Sequence, residues 1–216
     1  MHYGQEIFEG LKAYRRKDGG INLFRPDQNA KRMANSAKRL LMEPYPEDEF
    51  IKAVKEVVLA NQDFVPPYGS SGTLYLRSFM IETQPIVGVS PSETYQFRIY
   101  ATPVGAYIKG LKPMPYEVSD YDRAAPVGTG QAKTAGNYAS SLLPSLITKK
   151  NGFADALYLD PKEHKYPVGS LTYKGKKHVF GNGKDAGPIT QKLYVTLTGI
   201  QFGDLEDKYG WIVKVS

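Results

Sequence analysis

The stretch "GTGQAKTAGNY", from Gly128 to Tyr138, places a single lysine, Lys133, among glycines, alanines and threonines. Glycine has no Cβ, so the backbone at Gly128, Gly130 and Gly136 can approach a bound group closely. Partial desolvation beside such a loop turns a lysine amine into a nucleophile that can form a Schiff base with an aldehyde. The same loop sequence is also compatible with a flexible surface loop that carries a solvated lysine. Only motifs elsewhere in the chain can decide between the two interpretations.

Helix and strand signals follow this loop along the chain. The run "YASSLLPSLITKKNG" predicts a helix from about Asn137, with Pro144 as a kink and Gly152 as its C-terminal stop, and "ADALYLD" predicts the next strand. Farther on, Pro188 begins a predicted helix that contains "LYVTLTGIQFG" and ends at Gly203.

Before the loop, strands and amphipathic helices alternate. Residues 1–20 predict strand structure that runs into a glycine turn, and "INLFR" predicts a short strand. Two helices then begin near Pro26 and Pro46. The residues expected to face inward are Ala30, Met33, Ala34, Ala37, Leu40 and Leu41 in the first helix and Phe50, Val54, Val57 and Val58 in the second.

Two longer strands come next, "GTLYLRSFMIE" and "TYQFRIYATPVGAYI", which are expected to be neighbours. Because side chains alternate along a strand, Tyr75 and Arg77 should lie on one face. Helices and strands interleaved with hairpins favour an α+β fold over a doubly wound sheet.

Composition excludes several classes of protein. The 28 Lys and Arg against 22 Asp and Glu give a net charge of +6, but the basic residues are scattered, unlike a nucleic-acid surface. The chain has no cysteine, hence no disulfide or thiolate metal site, and its three histidines show no ligand spacing. No run is long enough for a membrane span, and no signal peptide follows Met1. A soluble cytoplasmic protein is expected.

Six segments in order resemble the branched-chain amino acid aminotransferases, in the D-alanine aminotransferase-like (fold-type IV) class of pyridoxal phosphate enzymes. They are "HYGQEIFEGLKAYR", "LFRPDQNAKRM", "GTLYLRSFMI", "ATPVGAY", "GTGQAKTAGNYA" and "LTGIQFGDLEDKYGWIVKV", which together span residues 2–215. The resemblance implies a two-domain α+β fold, with a small N-terminal domain at residues 1–110 and a pyridoxal phosphate domain at residues 111–216. The abrupt start suggests that a first strand is missing.

The resemblance also implies roles for cofactor-binding residues. Lys133 would be the catalytic lysine that bonds pyridoxal 5'-phosphate and moves the proton between the amino acid and the cofactor. Arg32 would bind the cofactor phosphate, for which a bidentate guanidinium is suited. Tyr138 would hydrogen-bond the phenolic oxygen of the cofactor, and Arg123 would lie near the cofactor.

Substrate contacts are implied on the same grounds. Phe8 and Tyr107 match aromatic pocket residues, Tyr75 and Arg77 match a strand pair near the α-carboxylate, and Tyr3 matches a residue that reaches a neighbouring subunit. An apolar pocket suits Leu, Ile and Val, while an arginine at its rim admits glutamate. The implied reaction is transamination between these amino acids and 2-oxoglutarate by a homodimer.

The resemblance breaks after Tyr166, which runs directly into Pro167. Relatives carry a long segment here, including the glutamate that pairs with the pyridine nitrogen and a turn that binds phosphate. The second domain is therefore expected to be incomplete. Three alternatives remain open: an active transaminase, an inactive remnant that keeps the family's dimer surface, and a D-amino acid aminotransferase or aminodeoxychorismate lyase.

Overall fold

A computed structural model of the chain describes residues 2–105, 114–125, 127–159, 170–173, 176–179 and 186–216, with only the backbone of 170–173 and 176–179. Its strands are β1 (Glu6–Phe8), β2 (Leu11–Arg15), β3 (Ile21–Phe24), β4 (Thr73–Glu82), β5 (Tyr95–Val104), β6 (Tyr116–Val118), β7 (Asp155–Leu157), β8 (Ser170–Tyr173), β9 (Lys176–Val179) and β10 (Ile212–Lys214). Its helices are α1 (Pro26–Arg39), α2 (Glu47–Ala60), α3 (Gly136–Ala139), α4 (Leu142–Lys150) and α5 (Pro188–Phe202), with a 3-10 turn at Gln62–Phe64.

The first sheet is built around β4, and all its pairs are antiparallel. One edge of β4 pairs along its full length with β5, so the two long strands are neighbours as predicted. The other edge pairs first with β2 and then with β1. β1 and β2 therefore follow one line along β4, interrupted at Glu9 and Gly10, where the Glu9 amide donates to the Ser78 carbonyl at 2.7 Å.

Helices α1 and α2 pack on this sheet and close its core. Helix α1 begins at Pro26 as predicted, because a first helical turn needs no N–H from proline. The inward prediction for Leu41 was wrong, since α1 ends at Arg39 and Leu41 is 69% exposed with φ at 56°. The buried cluster consists of Ile7, Leu11, Ala13, Ile21, Leu23, Ala30, Met33, Ala37, Met42, Phe50, Val54, Val58, Val65, Leu74, Leu76 and Met80.

The second sheet has the order β7-β6-β8-β9. β6 runs parallel to β7 and β8, while β8 and β9 form an antiparallel pair. The helix predicted from Asn137 is divided into α3 and α4 at Ser140 and Ser141. Pro144 is the third residue of α4, where its missing N–H costs no intrahelical hydrogen bond, so the interruption precedes the proline.

The chain returns to the first sheet after α5. This helix ends at Gly203 with φ at 81°, as the sequence predicts, and β10 then pairs with β3. The architecture is α+β, with an antiparallel sheet and a small mixed sheet. The predicted boundary between residues 110 and 111 lies outside the described residues and stays a prediction. No helix in the described part of the chain is long and apolar enough to cross a membrane.

Candidate active site

Lys133 is held by the first sheet and α1 through its own backbone. Its carbonyl accepts from the Phe8 amide at 3.0 Å, and its amide donates to the buried Ser36 hydroxyl at 2.9 Å. The next residue, Thr134, forms an isolated bridge with Ile7 and donates its hydroxyl to the Glu6 carbonyl at 2.7 Å. These bonds fix the Lys133 backbone beside the edge of β1 that does not pair with β4.

The loop before Lys133 closes mainly on itself. The Asn137 amide group donates to the carbonyls of Thr129 and Ala132, both at 2.8 Å. A Cβ on Gly130 would come within 2.5 Å of the Ala125 carbonyl, and one on Gly128 within 2.8 Å of the Ala125 methyl. These two glycines were expected to leave room for a bound group, but the space is taken by their own chain.

The Lys133 amine contacts two aromatic rings. Its Nζ is 4.4 Å from the Phe8 ring centroid and 4.6 Å from that of Tyr138, and the two rings meet edge to face at 4.8 Å. Nζ also donates to the Tyr138 hydroxyl at 2.5 Å. The five-residue spacing from Lys133 to Tyr138 therefore produces a direct contact between the two side chains.

Tyr138 contacts two cations, Lys133 and Arg123. Burial raises the pKa of its phenol, but the hydrogen bond and charge of Lys133 and the nearby Arg123 outweigh burial, so the pKa falls below its usual value. The Arg123 guanidinium lies 4.5 Å from the Tyr138 ring centroid. The arrangement favours a hydroxyl oxygen that accepts hydrogen bonds.

Arg32 lies beside a carboxylate that sequence reasoning missed. Its Nε and Nη2 donate to the two oxygens of Glu9 at 2.7 Å and 2.6 Å. The hydrogen bond to Glu9, followed by the carboxylate charge, raises the Arg32 pKa. One signal was available, since a glutamate between Phe8 and Gly10 interrupts an apolar strand.

Tyr75 and Arg77 lie on one face of β4, as the alternation of side chains predicts. Nε and Nη2 of Arg77 donate to the Tyr75 hydroxyl at 3.0 Å and 2.8 Å. The guanidinium also lies 4.6 Å from the Phe8 ring centroid. The Phe8 ring therefore contacts two cations, Arg77 and Lys133.

Two cavities meet at Lys133, and both are lined by Arg32, Lys133 and Tyr138. The larger, with a volume of about 660 Å³, adds Phe8, Tyr75, Arg77, Phe79 and Tyr100 among its lining residues. The smaller, about 400 Å³, adds Arg123 and Asn137. These volumes fall within or near the range typical of small-molecule sites.

Phe79 and Tyr100 were not predicted as lining residues. Phe79 follows Tyr75 and Arg77 at the two-residue period of β4, so the same alternation could have found it. Tyr100 stands opposite Arg77 across the β4–β5 pair, and its ring contacts Phe79 at 5.1 Å between centroids. Finding Tyr100 requires the register of the two strands.

One predicted substrate residue, Tyr3, is not brought to this site. Tyr3 is half exposed, donates its hydroxyl to the Val87 carbonyl and lines a third cavity of about 290 Å³ with Arg39 and Glu82. Tyr107 lies outside the described residues. The remaining predicted residues all line one or both of the cavities at Lys133.

Known proteins with similar sequences were found over the whole chain. Residues 6–166 match the family model of amino-transferase class IV. A branched-chain-amino-acid aminotransferase of Haemophilus influenzae is 42% identical over 294 aligned positions, covering 100% of this chain and 86% of that protein. A mitochondrial branched-chain amino acid aminotransferase 1 of Humulus lupulus is 36% identical, with coverage of 100% and 73%.

Solved structures share the fold. A branched-chain amino acid aminotransferase of T.th., crystallised with pyridoxamine 5'-phosphate, has a TM-score of 0.80 and 23% identity, with coverage of 100% of this chain and 91% of that chain. The enzyme of the thermophilic archaeon Thermoproteus uzoniensis, crystallised with norvaline, has a TM-score of 0.77, 22% identity and the same coverage.

The alignment with the Haemophilus influenzae protein also bears on the predicted break. Its 294 positions exceed the 216 residues of this chain, so the relative has positions without a counterpart here. The family match ends at Tyr166, the residue after which the sequence predicts an absent segment.

Proposed function

The chain belongs to the class IV aminotransferases, and on that premise we propose that it transfers amino groups between branched-chain amino acids and 2-oxoglutarate with pyridoxal 5'-phosphate as cofactor. The relatives at 42% and 36% identity carry the names of branched-chain aminotransferases. The observation that carries the proposal is the Lys133 amine, which lies where the two cavities meet, beside Arg32 and Tyr138.

The residues around the smaller cavity fit three groups of the cofactor. Lys133 supplies an amine for the aldehyde, Arg32 a guanidinium for the phosphate, and Tyr138 a partner for the phenolic oxygen. Among the described residues that line this cavity none is acidic, so these residues would offer the pyridine nitrogen no carboxylate. When bound, the cofactor supplies the electron sink that makes the Cα–H bond of an amino acid acidic.

Lys133 is proposed as the acid and base at the substrate Cα. Its Nζ would take the proton from Cα of the amino acid and deliver it to the aldehyde carbon of the cofactor, and in the second half of the exchange it would move a proton in the opposite direction. The aromatic rings of Phe8 and Tyr138 contact the amine and limit the access of water. The Tyr138 hydroxyl, hydrogen-bonded to Nζ, orients the amine within the junction of the cavities.

The larger cavity is proposed to bind both substrates of the exchange. Its aromatic side chains, Phe8, Tyr75 and Phe79, suit the apolar side chains of Leu, Ile and Val. Arg77, held by the Tyr75 hydroxyl, supplies a cation for a substrate carboxylate. One site can then admit a branched-chain amino acid and glutamate in turn.

Selective labelling of Lys133 tests the proposal. The purified chain is incubated with pyridoxal 5'-phosphate and reduced with borohydride, and peptide mass spectrometry locates the added mass. We expect the adduct on Lys133, its loss in Lys133→Arg, and no change in Lys52→Arg, a control whose lysine is 64% exposed. Labels spread over surface lysines would contradict an activated lysine in the loop.

Amino-group transfer is measured next, with L-leucine and 2-oxoglutarate as substrates and glutamate as the product. Glutamate formation that Lys133→Arg abolishes supports the proposed reaction. Labelling of Lys133 without transfer would favour the inactive remnant. Transfer only from D-alanine, or pyruvate release from aminodeoxychorismate, would favour the related activities.

We further propose a cytoplasmic homodimer divided into domains at residues 1–110 and 111–216. Tyr3 supports the dimer, because its side chain lies half exposed beside a cavity away from Lys133, where a second subunit can contact it. Sedimentation equilibrium tests the dimer, and cell fractionation tests the location. A monomer at micromolar concentration would contradict the role proposed for Tyr3.

A further inference from the structure

Glu9 is a buried carboxylate at the interruption between β1 and β2. Its side chain has 0% exposure, although an ionised carboxylate away from water is costly unless it is paired and hydrogen-bonded. Its amide is fixed to the Ser78 carbonyl on β4. The position of Glu9 is therefore set by the sheet, and its charge must be satisfied from elsewhere.

Helix α1 satisfies that charge with two side chains one turn apart. Arg32 donates Nε to one oxygen of Glu9 and Nη2 to the other, which is the fork geometry of a guanidinium and a carboxylate. Asn29 donates Nδ2 to Glu9 Oε2 at 2.8 Å and to the Gly10 carbonyl at 3.2 Å. The two N–H groups of Arg32 and that of Asn29 occupy both oxygens of Glu9.

Arg32 itself is not buried with its partner. Its side chain is 51% exposed and lines both cavities at Lys133. Glu9 occupies the Nε and Nη2 edge of the guanidinium, and within the described part of the chain Nη1 donates to no protein acceptor. Nη1 is therefore available to a ligand.

We propose that Glu9 is a positioning residue that fixes the guanidinium of Arg32 so that its remaining N–H groups bind a phosphate in the cavities at Lys133. The inference rests on the cofactor of the proposed function and assigns a role to a residue that touches neither cofactor nor substrate. A flexible arginine loses side-chain entropy when it binds an anion, whereas a guanidinium already held by Glu9 has lost it beforehand. Glu9 therefore raises phosphate affinity through Arg32.

Comparing ligands with and without a phosphate separates positioning from a structural role. The ligands are pyridoxal 5'-phosphate and pyridoxal, and dissociation constants are measured by absorbance titration of wild type and Glu9→Gln. We expect Glu9→Gln to weaken the binding of pyridoxal 5'-phosphate about tenfold or more and the binding of pyridoxal less than about twofold. Only pyridoxal 5'-phosphate carries the phosphate dianion. Equal loss of both ligands would mean a structural role, and no loss would also overturn the proposal.

Two further variants show whether Glu9 acts through Arg32. Arg32→Lys removes the fork, and in the double variant Glu9→Gln/Arg32→Lys we expect no loss beyond that of Arg32→Lys alone. Glu6→Gln is the matched control, because Glu6 also lines the larger cavity and does not contact Arg32 through any described hydrogen bond. Additive losses, or an equal loss in Glu6→Gln, would overturn the proposal.

Inorganic phosphate separates this inference from the proposed cofactor. If wild type binds no pyridoxal 5'-phosphate, the proposed function fails, but phosphate binding that Glu9→Gln weakens still supports the pair as an anion site. Binding of neither probe by wild type overturns both. If Glu9→Gln folds poorly by circular dichroism, Glu9→Asp keeps the buried charge while displacing Arg32. The same selective loss of pyridoxal 5'-phosphate is then expected.

Discussion

The region around the first sheet and the region around the second differ in where apolar side chains lie. The buried cluster belongs to the first sheet with α1 and α2, and includes Phe50, Val54 and Leu76 at 0–1% exposure. By contrast, α4 beside the second sheet, and α5, whose C-terminal end contacts β2 and β3, expose large apolar side chains, among them Leu142, Leu143, Leu146, Ile189, Leu193 and Leu197. Free energy from burial is therefore concentrated in the first region.

Lys133 contacts residues of both regions. The lysine is followed in the sequence by α3, α4 and β7, yet its backbone bonds run to Phe8 and Ser36 of the first region. The well-packed region thus fixes the reactive amine, while the less buried region supplies Tyr138 and Arg123 around it. Four predictions test this division of roles.

The largest effect is expected from removing a buried side chain of the first region. Phe50→Ala should lower the free energy of unfolding by about 3–5 kcal/mol, through lost transfer energy and the cavity left behind. Leu193→Ala, on α5 and 66% exposed, is the control and should change it by less than about 0.5 kcal/mol. Urea unfolding followed by circular dichroism measures both. Similar losses would mean that the Leu193 side chain is buried in solution.

Ser36→Ala should have the next largest effect, because it leaves the Lys133 amide without its acceptor. We expect a loss of about 1–3 kcal/mol in the free energy of unfolding. Hydrogen exchange should show faster exchange at the Lys133 amide, and labelling by pyridoxal 5'-phosphate should slow. Ser145→Ala is the matched control, since its hydroxyl donates to Asp155 at 2.9 Å in the second region. A slower labelling rate in both variants would contradict a specific role for Ser36.

Tyrosine ionisation should separate the two regions at alkaline pH. Burial raises the pKa of Tyr14 to about 12, whereas the cations around Tyr138 outweigh its burial and lower its pKa. An unfolded tyrosine ionises near pH 10. The stabilisation from Tyr14 is therefore complete below about pH 10 and is lost as the pH rises towards about 12. The stabilisation from Tyr138 is complete above about pH 10 and is lost as the pH falls through the lowered pKa of Tyr138.

Difference absorbance of tyrosinate measures these two ionisations. The absorbance of wild type minus that of Tyr138→Phe should show a component that titrates at lower pH than the bulk of the tyrosines. Wild type minus Tyr14→Phe should show one that titrates after them. The reverse order would mean that Lys133 and Arg123 do not contact Tyr138 in solution.

The smallest effect is expected from Gly136→Ala. A Cβ at Gly136 meets nothing within 4 Å, and the residue begins α3. We expect stabilisation of about 0.4–1 kcal/mol from the lower entropy of the unfolded chain, and the same from the control Gly88→Ala, which also meets nothing. Weaker labelling by pyridoxal 5'-phosphate in Gly136→Ala alone would sharpen the comparison, because it would place a ligand against this glycine. Equal weakening in both variants would argue against such a contact.

Local patterns in the sequence predict much of the first region. Pro26 and the apolar spacing after it predict α1, and the alternation along β4 predicts the contact between Tyr75 and Arg77. These predictions succeed because helix and strand periods depend on neighbours in the chain. Leu41 failed because the helix ends before it, and helix ends are less strongly encoded than helix interiors.

The candidate site was predicted only where a short spacing or a family resemblance supplied the residues. The pair of Glu9 and Arg32 depends on α1 packing against an interrupted strand, which no local pattern contains. The space beside Gly128 and Gly130 was predicted to hold a ligand. The sequence shows that these residues have no side chain, but it does not show which atoms fill the space. Tyr100 required the register between two strands.

The pairing of β10 with β3 has a consequence during synthesis. β3 leads into Arg25, whose amide donates to the Trp211 carbonyl, and then into the helix that carries Arg32. β10, which pairs with β3, leaves the ribosome only after α5 has been translated. Until then the nascent chain presents an unpaired strand edge, which is a template for association with other chains. Translation rate and chaperone supply should therefore govern the yield of folded protein.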